Sequence, residues 1–88
     1  MPIVTEIEPK ISDGRIFTVL FIKRTNDEER FMMARTGVKK GVKGIGLPFN
    51  PRTYNLIPVF DLIKNRHRLI SCERIEELHH HGIIEIFR

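Results

Sequence analysis

The chain has 88 residues, of which 41% are hydrophobic and 30% charged, and a formal net charge of +4. That length excludes a second domain, and the single cysteine, Cys72, excludes an intrachain disulfide framework. No apolar run approaches the roughly 20 residues that span a bilayer, and the opening residues lack the basic and apolar regions of a signal peptide, so a cytoplasmic protein without a membrane partner is expected. A chain this short buries only about 60–65% of its unfolded surface, a margin that assembly into a small homo-oligomer would widen. Six Phe and one Tyr are not the profile of a disordered tail.

In chain order, residues 1–14 read as an N-terminal arm. It contains Pro9 and the turn signal Ser12-Asp13-Gly14, and its Ile3, Ile7 and Ile11 are placed to cover the end of a barrel. From Arg15 the pattern takes a period of two, with Phe17, Val19 and Phe21 on one side and Ile16, Thr18, Leu20 and Ile22 on the other, which predicts a central strand. Thr25–Glu28 is a turn, and Arg30–Arg35 completes a hairpin. Four glycines between Gly37 and Gly46 argue for a loop tacked down by Val38, Val42 and Ile45. Leu56–Asp61 is a third strand, an edge or a bulged one because Pro58 lacks an N–H, and Arg66–Ser71 is a fourth. Ile75 and Leu78, three apart after a possible Ser71 cap, predict one or two turns of helix, and Ile83–Phe87 is the last strand. The fold expected is mostly β, a small bent barrel of about five strands over residues 15–88, closed so that no edge is exposed.

Several segments together carry a resemblance. These are Phe21-Ile22-Lys23-Arg24, Arg30-Phe31-Met32-Met33-Ala34-Arg35, Val59-Phe60-Asp61, Arg68-Leu69-Ile70 and Glu73-Arg74-Ile75. In order and spacing over residues 15–87 the chain resembles the Sm-like or SH3-like β-barrel domain of small phage-encoded proteins, related in shape to the WYL domain. The resemblance implies an SH3-like fold and a module that binds nucleic acid or regulates a host protein. It also matches Arg30, Arg35, Arg68 and Arg74 to arginines of the family pattern, in contact with a ligand or in salt bridges to Glu28, Glu29, Glu76 and Glu77.

Charge is unevenly placed. Eight basic residues stand between Arg35 and Arg68 against one acid, Asp61, so this stretch carries +7 and the remainder −3. Such a concentration steers a polyanion or an acidic protein; the plain alternative is a solvated basic surface. The glycine-rich loop 37–46, with Lys39, Lys40 and Lys43, suits phosphate contact through lysine ammoniums and backbone N–H groups, although it has neither the Gly-Lys-Ser/Thr nor the following helix of a P-loop. If the third and fourth strands pair, Arg66, His67 and Arg68 are expected beside Tyr54 and Asn55, an arrangement suited to single-stranded nucleic acid. The candidate binding residues are therefore Arg35, Lys39, Lys40, Lys43, Arg52, Tyr54, Arg66 and Arg68.

Catalysis and cofactors are not expected. Ser12, Ser71 and Cys72 are the available nucleophiles, and no strand–nucleophile–helix elbow surrounds them. Asp61 and Glu73 form a possible carboxylate pair, but Asp61 more simply caps a turn. His79, His80 and His81 on a strand point to alternate faces and cannot all reach one ion, so they read as a polar lead-in and not a metal site. The function expected is a small, basic, non-catalytic binding module that contacts nucleic-acid phosphates of DNA or RNA. The alternative is a phage-type protein that modulates a host protein through an acidic surface.

Overall fold

The computed structural model describes residues 2–23, 25–38 and 49–87. They form helix α1 (Val4–Ile11), strands β1 (Phe17–Ile22) and β2 (Glu29–Arg35), a 3₁₀ turn (Pro51–Tyr54), strands β3 (Leu56–Asp61) and β4 (Arg66–Ser71), a second 3₁₀ turn (Cys72–Arg74), and strands β5 (Ile75–His80) and β6 (Ile83–Ile86). The strands make one antiparallel sheet in the order β4-β3-β2-β1-β5-β6.

This architecture corrects the expected barrel. The fold is mostly β with one helix, but the sheet is open and has six strands, with β4 and β6 as its edges. It is therefore not the closed Sm-like or SH3-like barrel that the resemblance implied. The additional strand is β5, where a helix was expected. Helical geometry is confined to Cys72–Arg74, whose Ser71 N-cap makes no side-chain hydrogen bond. The three-residue spacing of Ile75 and Leu78 comes instead from a β-bulge. Val19 lies opposite Leu78 and Phe21 opposite Ile75, with a register shift between Leu20 and Phe21. The extra residue in β5 turns both apolar side chains to the same face, where both are buried.

The residues read as an arm contain a helix that belongs to the core. Val4, Ile7 and Ile11 repeat at helical spacing and are buried, whereas Ile3 stays exposed. The helix has no side-chain cap of its own. Val4 N–H donates to Asn55 Oδ1 at 2.8 Å and Asn55 Nδ2 donates to the Pro2 carbonyl at 3.2 Å. At the other end Thr36 Oγ1 donates to the Ile11 carbonyl at 2.6 Å. Both helix ends are thus satisfied from distant parts of the chain, and Asn55 is shaped for this by its left-handed backbone at φ 59°. These caps offset the backbone bond that Pro9 removes from the helix.

Beneath α1 the core is built from alternate residues of the sheet: Phe17 and Val19, Met32 and Ala34, Ile57 and Val59, Ile70, Ile75 and Leu78, closed by Cys72. β3 is an internal strand, not an edge. Cys72 N–H donates to the Asn55 carbonyl and Leu62 N–H to the Met33 carbonyl, both at 2.9 Å. Odd residues of β3 therefore bond toward β4 and even ones toward β2. Pro58 turns its missing donor toward β2, which pairs with β3 only at Ala34–Asp61 and Arg35–Phe60. The proline sits where the ladder has already ended.

Candidate functional site: a basic cleft

The site lies at the other end of the short β2–β3 ladder, where the chain leaves β3 for β4 after Asp61 while β2 reaches back to Arg30. The core face of β3 and β4 is apolar at Ile57, Val59 and Ile70, then changes to Asp61, Arg66 and Arg68 near the turn. On the facing hairpin the same change occurs beyond Met32 and Phe21, at Arg30 and Lys23. Together they line a cleft of about 410 Å³ whose cations are Lys23, Arg30, Lys64, Arg66 and Arg68 and whose one carboxylate is Asp61. Phe21, Met32 and Ile63 supply its apolar wall, with Phe31 at its rim.

Asp61 is the fixed point of the cleft. It is 2% exposed, and its Oδ1 accepts the N–H groups of Ile63 and Lys64 at 2.9 Å each, which fastens the β3–β4 turn. Its Oδ2 accepts Arg68 Nη1 at 3.3 Å. Arg68 is thereby held half-buried along one wall, while Arg30, Lys64 and Arg66 are exposed around it. Among the described residues the cleft has five cations against one carboxylate that is already bonded on both oxygens. An arrangement of this kind attracts anions, and its guanidiniums have the fork geometry that fits phosphate oxygens.

The residues expected to bind partners are distributed over three places. Arg66 and Arg68 belong to the cleft. Arg35 ends β2 opposite Phe60, on the sheet face that points away from the core. Arg52 and Tyr54 lie in the first 3₁₀ turn, where Arg52 Nη2 pairs with Glu8 Oε1 at 2.5 Å and exposed Tyr54 meets Phe49 edge-on at 5.3 Å. The hairpin of β3 and β4 forms as expected, but its register sets Leu56 opposite Ser71 and Asp61 opposite Arg66. Tyr54 is consequently at the far end of the hairpin from Arg66, roughly 17 Å along the strand, which corrects the expected juxtaposition. Lys39, Lys40 and Lys43 lie outside the described residues. Lys23 and Lys64 are members of the cleft missing from the expected binding residues, and Arg30 entered only through the family pattern. Their signal was the hairpin itself, because pairing Phe21 with Arg30 carries that arginine to the same face as Lys23.

The histidines do other work. β5 and β6 are joined by a two-residue turn, His81 and Gly82, both with positive φ (49° and 73°). This turn swings His81 back toward His80, so the two are not on opposite faces of a strand. His81 Nε2 contacts Asp13 at 2.6 Å and His80 Nε2 contacts Glu85 at 2.9 Å, while Lys10 also pairs with Glu85. The cluster ties the β5–β6 hairpin to the C-terminal end of α1. Lys10, then His80, hold the Glu85 carboxyl below its usual value, and the Arg15 N–H followed by His81 does the same for Asp13. Among the described residues no group of three or more His, Cys, Asp or Glu side chains is placed to hold a metal ion. Burial pushes the Cys72 thiol up to about 11, so at neutral pH it is a protonated core group and not a nucleophile. Arg74 approaches Asp27 at 3.7 Å.

Among the described residues no helix is long and apolar enough to cross a membrane. No protein-family model, curated protein or solved structure matches the chain.

Proposed function

We propose that the protein is a small, non-catalytic binding module of the cytoplasm that takes the phosphate backbone of a nucleic acid in the basic cleft. The observation that carries this reading is the convergence of Lys23, Arg30, Lys64, Arg66 and Arg68 on one concavity whose single acid is engaged. Arg68 is the positioned cation, set by Asp61; Arg30, Lys64 and Arg66 are the exposed ones that follow the backbone. Phosphate contacts of this type bind without regard to base sequence. The apolar wall at Ile63, which is exposed, offers surface for an unstacked base and favours single strands over duplex.

The test is a fluorescence-anisotropy titration of labelled 12-nucleotide DNA and RNA, single- and double-stranded, at two salt concentrations. Binding should weaken with salt with a log–log slope of about −2 to −3 for three or four phosphates on a single strand. Arg66→Glu should weaken it for all sequences alike and make the slope shallower by about one. Binding that ignores both salt and Arg66→Glu would refute the reading. Absence of binding at low salt would transfer the cleft to an acidic protein partner.

A further inference from the structure

On the face of the sheet opposite the core Leu20 and Phe60 are buried, and exposed apolar side chains stand around Leu20. Alternation places Glu29, Phe31, Met33 and Arg35 of β2 on this face, because Met32 and Ala34 point into the core. The pairing registers extend this face across four strands in two rows. One row runs Met33, Thr18, His79, Ile84, and the other runs Phe31, Leu20, Glu77, Ile86. Phe31, Ile84 and Ile86 are 62%, 61% and 66% exposed, and Met33 is 43% exposed. An edge-on contact of Phe31 with His79 at 5.9 Å joins the rows, and Glu77, the carboxylate among them, is held by His79 at 3.0 Å. From strand rise and spacing the face measures roughly 20 Å by 19 Å. That is about 380 Å² on each copy, the footprint of a weak, transient contact and below that of a stable specific interface, and its exposed apolar side chains, Phe31 and Met33 on one side and Ile84 and Ile86 on the other, flank Thr18, Glu77 and His79.

We infer that this face packs against the same face of a second copy of the chain. The argument for a second copy lies in β2. Glu29 and Arg35 stand at opposite ends of the strand on the apolar face, both exposed, and neither is in an ion pair among the described residues. When β2 crosses its counterpart antiparallel about a two-fold axis, Phe31 meets Met33 of the other copy in the centre. Glu29 of each copy then meets Arg35 of the other at both borders. The patch is self-complementary in charge as well as in apolarity, the requirement of an isologous contact. Two sheets stack in this way about 10 Å apart. The inference does not depend on the nucleic-acid reading, although the dimer leaves a basic cleft on each copy.

Sedimentation velocity between about 10 and 300 µM tests it. The protein should pass from monomer to dimer across this range, the affinity expected of a small interface. Phe31→Lys and Ile84→Lys should each abolish the dimer while circular dichroism shows the fold intact, since both side chains are exposed. Having two such variants guards against one failing to fold. Glu29→Arg and Arg35→Glu should each weaken the dimer about three- to tenfold, and the double exchange of both charges should restore it to within about twofold. A monomer at 300 µM would overturn the inference. So would a dimer indifferent to Phe31→Lys and Ile84→Lys, or a double exchange weaker than either single variant.

Discussion

The two edges of the sheet solve the same problem in opposite ways. β4 presents Arg66, His67 and Arg68 along its length, and charge on an edge strand is a common means of discouraging further strands from pairing. β6 presents Ile83, Ile84 and Ile86, all more than half exposed, and its one charged residue, Glu85, is drawn aside to Lys10 and His80. The cationic edge belongs to the cleft, and the apolar edge belongs to the outer face. One sheet of six short strands therefore carries two chemically separate surfaces, one suited to anions and the other to apolar contact. The difference arises from where charges fall on alternating strands.

Substitution in each half should expose this division. Asp61→Ala removes the acceptor of two turn N–H groups and of Arg68, leaving three part-buried donors without that partner. It should cost about 2–4 kcal/mol in urea denaturation, whereas Ile84→Lys at the apolar edge should change monomer stability by less than about 0.5 kcal/mol. Equal effects would break the comparison. Asn55→Ala, which frees the N-terminus of α1 from the start of β3, should cost about 1–2 kcal/mol, in line with the loss of a helix cap. Amide exchange should then show α1 opening before the β5–β6 hairpin does.

Acid should distinguish the halves more gently. Lys10 and His80 lower the folded-state pKa of Glu85 below its usual 4.5. Its contribution is therefore present above that value and disappears as pH falls through the depressed one. Lys10→Met should reduce the acid-dependent loss by a few tenths of a kcal/mol, read from melting temperatures between pH 6 and 2.5. Smallest of all is Ser71→Ala on β4. Ser71 Oγ is buried with no hydrogen-bond partner among the described residues, so its removal should leave stability unchanged within about 0.5 kcal/mol or raise it slightly.

Where pattern is local, the chain could be read directly. The period-two runs at 17–22, 56–61 and 66–71 correspond to β1, β3 and β4, and the run at 83–87 to β6. What failed depended on distant partners. Helix α1 was illegible because Ile3 offers no cap and Pro9 argues against a helix, while its cap, Asn55, lies 51 residues away. β5 looked helical because a bulge mimics helical spacing at Ile75 and Leu78. Barrel closure could not be read because it depends on whether β4 and β6 find partners, which no local pattern encodes. In the cleft, Arg66 and Arg68 were legible as charge, but Lys23 and Arg30 join them only through the hairpin register and the turn out of β3 after Asp61.

The central claim is that the cleft, and not the 3₁₀ turn or the apolar face, is where the nucleic acid lies. The most direct measurement is a ¹⁵N–¹H correlation spectrum during titration with a single-stranded 12-nucleotide oligomer at low salt. The account predicts shifts concentrated at Lys23, Arg30 and residues 63–68, with Arg52, Tyr54 and the β6 amides nearly still. Shifts centred on Arg52 and Tyr54, or spread over β6, would contradict it.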